Sequence, residues 1–96
     1  MSRCILDNEE LGTEVVIGWD PPMETYFARV AERNGEEVFW TGNGDRIYNS
    51  PDPLIEMIQP YACWHDKKAL IRELRWDKAT NDGSRIYSMW PEEQVL

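Results

Sequence analysis

Apolar residues alternate along three consecutive stretches between Glu14 and Gly42, EVVIGWDPPMETYFARVAERNGEEVFWTG, which predicts three antiparallel strands. Val15, Ile17 and Trp19 share one side of the first. Asp20-Pro21-Pro22 stops it, because consecutive prolines cannot donate to a ladder. The second and third strands, expected at Tyr26–Glu32 and Glu37–Thr41, flank Asn34-Gly35, a pair suited to the two positive φ angles of a type I′ hairpin turn. Such a turn sets Arg33 against Glu36, Glu32 against Glu37, Ala31 against Val38, Val30 against Phe39, Arg29 against Trp40 and Ala28 against Thr41. Phe27, Ala31, Val38 and Trp40 then share one face, and Tyr26, Ala28, Val30 and Phe39 the other. Neither face is plainly polar, which predicts partial cover on both.

After residue 42 the period changes. Asn49-Ser50-Pro51-Asp52-Pro53 reads as a helix entry, with Asp52 as N-cap and Pro53 at the first helical position, where no amide donor is needed. Leu54, Ile55 and Ile58 then recur at helical spacing up to Gln59, and Pro60 ends the helix. A second helix is expected from Lys67 to Thr80, capped by Asp66, with Leu70, Ile71 and Leu74 as its apolar stripe and Gly83 as its stop. Residues 1–13 read as an arm or a short edge strand. Residues 84–96 read either as a fourth strand at a sheet edge or as a tail. Gly44-Asp45-Arg46-Ile47-Tyr48-Asn49 echoes Gly83-Ser84-Arg85-Ile86-Tyr87-Ser88; six residues recurring once make no repeat architecture, and the echo is chance or a pair of similar strand starts. The fold class is therefore α+β over one domain, 1–96: a three- to four-stranded antiparallel meander with two helices packed on one face.

Charge narrows the function more than composition does. The net charge is −8, and between Asp7 and Glu37 nine acids (Asp7, Glu9, Glu10, Glu14, Asp20, Glu24, Glu32, Glu36, Glu37) stand against Arg29 and Arg33. The second helix reverses the balance with Lys67, Lys68, Arg72, Arg75 and Lys78. Phosphate contacts need a basic face, so this distribution disfavours direct nucleic-acid binding, except through that one helix, and favours a protein partner with a basic surface. The candidate partner-binding residues are Glu14, Asp20, Glu24, Glu32, Glu36 and Glu37 with Trp19, Tyr26 and Trp40. Five tryptophans exceed what so small a core can fully bury, so some are expected to lie partly exposed, either as interface anchors or as a thickening of the core.

Other chemistry finds little footing. Cys63-Trp64-His65-Asp66 places a thiol, an imidazole and a carboxylate close in sequence, but no oxyanion loop accompanies them, and neighbours in sequence rarely face one another. Two distant cysteines and one histidine make no closed zinc site, and no cofactor is expected. Cysteine usage, an acid-rich start and the lack of a long apolar run point to a cytoplasmic protein that does not enter a membrane.

The run VVIGWDPPMETYFARV, followed by GEEVFWTG and the proline-led DPLIEMIQPYA, resembles a family of small uncharacterised proteins carried on proteobacterial plasmids and integrative elements. Their recurring pattern is a valine-rich strand ending Gly-Trp-Asp, a proline, then Thr-(Tyr/Phe)-Phe-Ala and an apolar-aromatic strand. The likeness covers residues 14–62 and implies a mobile-element setting, without assigning any activity or site residue. In size and charge, though not in fold, the chain is also similar to anti-CRISPR proteins. The expected function is thus that of an acidic, non-enzymatic inhibitor occupying a basic, nucleic-acid-binding surface of a host defence complex. A homodimeric module pairing through a sheet edge is the alternative, as is nucleic-acid contact through 67–78.

Overall fold

A computed structural model describes residues 1–44, 46–62 and 66–88. Its elements in chain order are β1 (Arg3–Ile5), β2 (Thr13–Asp20), β3 (Thr25–Glu32), β4 (Glu37–Thr41), α1 (Asp52–Ile58), α2 (Lys67–Thr80) and β5 (Ile86–Ser88). One five-stranded sheet holds all the strands in the order β4-β3-β2-β1-β5. The α+β class and the β2–β3–β4 meander agree with the sequence reading. The strand count and the purely antiparallel pairing do not.

Two corrections follow from the N-terminal residues. The segment expected to be an arm or an edge strand is an interior strand: β1 pairs antiparallel with β2 through Cys4 and Ile17, and on its other side pairs parallel with β5 through Cys4 and Tyr87. Leu6 continues the inward alternation of Cys4, and both are buried. This explains why so short a patch is ordered, since its two inward side chains enter the core. It also makes the sheet mixed.

The turn at Asn34-Gly35 differs as well. Only Gly35 takes a positive φ, +94°. The amide of Gly35 donates to the Glu32 carbonyl at 2.8 Å and that of Glu32 to the Glu36 carbonyl at 2.7 Å, so the loop is three residues long rather than two. Asn34 uses its side chain instead, its Oδ1 accepting from the Glu36 amide at 2.9 Å, a local bond that competes with the left-handed conformation a type I′ turn asks of it. The pairing Val30 with Phe39, Arg29 with Trp40 and Ala28 with Thr41 is as expected, but Ala31 meets Glu37, and Val38 is the extra residue of a β-bulge. Glu32 therefore opposes Glu36, not Glu37.

Both helices lie on one face. Cys4, Leu6, Val15, Ile17, Trp19, Tyr26, Ala28 and Val30 from the sheet meet Leu54, Ile55 and Ile58 of α1 and Leu70 and Leu74 of α2 in one buried cluster. Trp19 and Tyr26 pack edge to face with centroids 5.0 Å apart, a geometry worth about 1 kcal/mol beyond area burial. The helix ends show one success and two displacements. Asp66 caps α2 by accepting from the Ala69 amide at 2.9 Å. Asp52, expected as the cap of α1, is its first residue, with Pro51 before it and no side-chain cap. The stop of α2 is Asn81 at φ 52° and ψ 40°, two residues before Gly83.

Among the described residues no helix lies on the opposite face of the sheet. Partial cover is expected on both sides; among the described residues this face carries only its own side chains. Phe27 is buried there, its ring against Gly18 of β2, while Val38 and Trp40 are 41% and 43% exposed.

Candidate functional site

The β1–β2 and β3–β4 connections emerge at the same end of the sheet, because Thr13 at the start of β2 pairs with Glu32 at the end of β3. They are also joined directly: the Arg33 amide donates to the Gly12 carbonyl at 2.9 Å. Side by side, the two tips and their adjoining rungs bring together Asp7, Glu9, Glu10, Glu14, Glu32, Glu36 and Glu37, against Arg33 and Arg29. Asn8 shapes the first tip by accepting the Glu10 and Leu11 amides on its Oδ1 at 3.1 and 3.3 Å, which directs Glu9 and Glu10 outward. Like charges this close raise the local negative potential and make a ready counter-surface for cations.

Beside this acidic end, on the face opposite the helices, lies a small built platform. Arg29 and Trp40 are cross-strand partners, with the guanidinium 5.9 Å from the indole centroid, and Arg29 Nε donates to Glu37 Oε1 at 3.3 Å. Trp40 is thus positioned by a cation that is itself paired with a carboxylate, and the ring stays part exposed.

The structure divides the candidate partner-binding residues into three groups. Glu14, Glu32, Glu36, Glu37 and Trp40 are exposed and converge on the acidic end or its platform. Asp20, the last residue of β2, and Glu24, in the turn that follows it, lie at the opposite end, and Asp20 is buried. Trp19 and Tyr26, expected on a partner surface, are core residues, 4% and 1% exposed, because their strand positions point to the helix layer. The Tyr26 hydroxyl donates to the Leu74 carbonyl, and burial pushes its pKa up to about 12.

The basic candidates Lys67, Lys68, Arg72, Arg75 and Lys78 are all exposed on α2. Lys68, Arg72 and Arg75 recur at helical spacing, and Trp76 beside them is 58% exposed. The Cys63-Trp64-His65 run lies outside the described residues, and among the described residues no cluster that could hold a metal is present.

One group of side chains was missed at the level of sequence. Asp77, which reads there as one acid in a solvated basic helix, is 0% exposed. It lies seven residues after Leu70 and three after Leu74, on the buried stripe, and that spacing is the signal that could have found it. Its Oδ2 accepts from the Tyr87 hydroxyl at 3.1 Å. Its Oδ1 faces Arg85 Nε at 3.1 Å without the alignment of a hydrogen bond, so this contact is electrostatic. Burial raises the Asp77 pKa, more than Tyr87 and Arg85 lower it. Cys4 shares the cluster, and burial, with the Asp77 charge second, pushes its thiol up to about 12, which keeps it protonated and poorly nucleophilic at neutral pH. The cluster joins α2, β1 and β5 beneath the sheet surface.

The chain has no significant match among protein-family models, curated proteins or solved structures. Among the described residues no helix is long and apolar enough to cross a membrane.

Proposed function

We propose that the protein is a non-enzymatic binding module that docks its acidic end and the adjoining Trp40 platform onto a basic, nucleic-acid-binding surface of a protein partner. The observation that carries this reading is the junction of two hairpin tips through Arg33 and Gly12, which sets seven carboxylates against two arginines beside an exposed, positioned tryptophan. A carboxylate rim supplies steering and register, and a partly exposed tryptophan supplies the desolvated anchor that interfaces concentrate their energy in. The narrower version, an inhibitor of a host defence complex, draws on the net charge of −8 and the mobile-element resemblance of residues 14–62. The test is capture from a bacterial host lysate with the wild-type protein and the E32K/E36K/E37K variant in parallel. The expected result is a salt-sensitive, nucleic-acid-binding protein held by the wild type alone, whose nucleic acid is released when wild-type protein is added. Equal recovery by both forms, or a partner that keeps its nucleic acid, refutes the proposal.

A second reading is supported by the α2 ridge of Lys68, Arg72 and Arg75 beside exposed Trp76, a spacing of cations and an aromatic that suits a phosphate backbone and an unstacked base. Binding of single-stranded DNA that weakens steeply with salt and is lost on R72Q/R75Q would favour it over the acidic-end reading.

A further inference from the structure

At the end of the molecule away from the acidic tips, the last turns of α2 pass over the chain entering α1 and leave an open cavity of about 460 Å³. Tyr26 forms its floor, Pro51 and Ala79 give it apolar walls, and Arg75 and Lys78 converge on it from α2. Lys78 is not a free surface lysine. Its Nζ donates to the Asn49 carbonyl at 2.9 Å and stands 5.6 and 5.9 Å from the ring centroids of Trp19 and Tyr26, so its charge is fixed at the rim. Neither Arg75 nor Lys78 makes an ion pair among the described residues. Asp52, whose charge reaches Tyr26, is engaged by the Ser50 hydroxyl at 2.7 Å. Two cations with no ion pair among the described residues thus border one cavity, part of it apolar.

The geometry points to a binding site for a small organic oxyanion, a carboxylate or phosphate carried on a flat apolar body. The oxyanion lies between the Arg75 guanidinium and the Lys78 ammonium, both of which retain free N–H donors, and the body lies against Pro51 and Ala79 over Tyr26. The site is separate from the acidic end and independent of the function proposed for it.

The test is a titration of the intact protein with phenyl phosphate, benzoate and inorganic phosphate, followed by amide and side-chain NMR shifts. Saturable shifts are expected at Asn49, Arg75, Lys78 and Ala79, with phenyl phosphate binding about tenfold more tightly than inorganic phosphate because it buries its ring. R75Q/K78M, which keeps an apolar stem at 78, weakens phenyl phosphate about tenfold or more, while K67Q/K68Q, with the same change of net charge, leaves it unaltered. Should R75Q/K78M not fold, R75Q alone carries the comparison. Whichever of benzoate and phenyl phosphate binds more tightly identifies the anion as carboxylate or phosphate. Shifts that never saturate, or equal weakening by both double variants, overturn the site. E32K/E36K/E37K leaves it intact, so its failure and that of the acidic end are read separately.

Discussion

Arg46-Ile47-Tyr48 and Arg85-Ile86-Tyr87, the cores of the two stretches that echo each other in sequence, run beside different strands of the same sheet, β3 and β1, and arrange these residues in the same way. In each, the arginine lies over the tyrosine two residues on, at 5.2 Å for Arg46 and 4.1 Å for Arg85. In each, the isoleucine between them points to solvent, 65% exposed at Ile47 and 64% at Ile86. Each tyrosine turns its hydroxyl inward, Tyr48 to Thr41 Oγ1 at 2.8 Å and Tyr87 to Asp77 Oδ2 at 3.1 Å. Only the second is a strand. β1 offers an unpaired edge along three residues, and 86–88 fill it. The edge of β3 is already taken by β4 as far as Thr41, where Gly42 at φ 81° turns the chain away; a Cβ there would meet the Tyr26 carbonyl oxygen at 2.2 Å. The returning Tyr48 finds one free amide, that of Tyr26, which donates to its carbonyl at 3.1 Å. Side-chain order is thus set within six residues, while secondary structure is set by what the neighbouring strand has left unpaired.

The two stretches differ most in what the inner hydroxyl meets, a neutral Thr41 or a buried Asp77. Asp77→Ala removes a buried carboxylate, takes the partner from the Tyr87 hydroxyl and leaves Arg85 with Glu73 alone, so chemical denaturation should show a loss of about 3 kcal/mol. Its pH dependence has a definite sign. The folded pKa of Asp77 is raised above 3.8, mainly by burial, so the protonated form is favoured in the native state. Its stabilising contribution is full below 3.8 and falls as pH rises through the folded value. The cost of Asp77→Ala is therefore greater in acid than at neutral pH. The opposite trend would mean that Arg85 outweighs burial.

Smaller and more symmetrical is the effect of deleting each hydroxyl. Tyr87→Phe is expected to lose about 2 kcal/mol and Tyr48→Phe about 1 kcal/mol, since a bond to a charged acceptor is worth more than one to a neutral group. Equal losses in calorimetry would show that Asp77 is protonated at the pH of the measurement, which ties this pair to the pH experiment.

How far the fold was legible depends on the range of the deciding contact. The alternation Val15-Ile17-Trp19, the Asp66 cap and the Leu54-Ile55-Ile58 stripe are local, and each stands where its period placed it. The antiparallel register of Arg29 with Trp40 and Val30 with Phe39 is the one a two-residue turn implies, and it holds because the bulge at Val38 offsets the third loop residue. What was not legible is non-local. Whether Arg3–Ile5 is an edge or an interior strand depends on Tyr87, more than eighty residues away. Trp19 and Tyr26 could not be assigned to a face while the side taken by the helices was open. The acidic end was half visible: the charges of each tip are in the sequence, but their junction through Arg33 and Gly12 needed the β2–β3 register.

The smallest expected effect concerns the outward isoleucines. Both Ile47→Ser and Ile86→Ser replace side chains already in solvent, so each should change stability by no more than about 0.5 kcal/mol. The two positions differ in one respect. Ile86 is the partner of Arg3 and shares with it the sheet face opposite α1 and α2, and among the described strands β5 is an outermost one, where a second copy could add strand to strand. If copies of the chain pair there, Ile86 is buried in the dimer. Ile86→Ser would then lower the melting temperature by an amount that grows with protein concentration, as mass action requires, while Ile47→Ser would not. Equal, concentration-independent behaviour of the two variants excludes edge pairing at β5 and leaves β4 as the sheet edge open to a second copy.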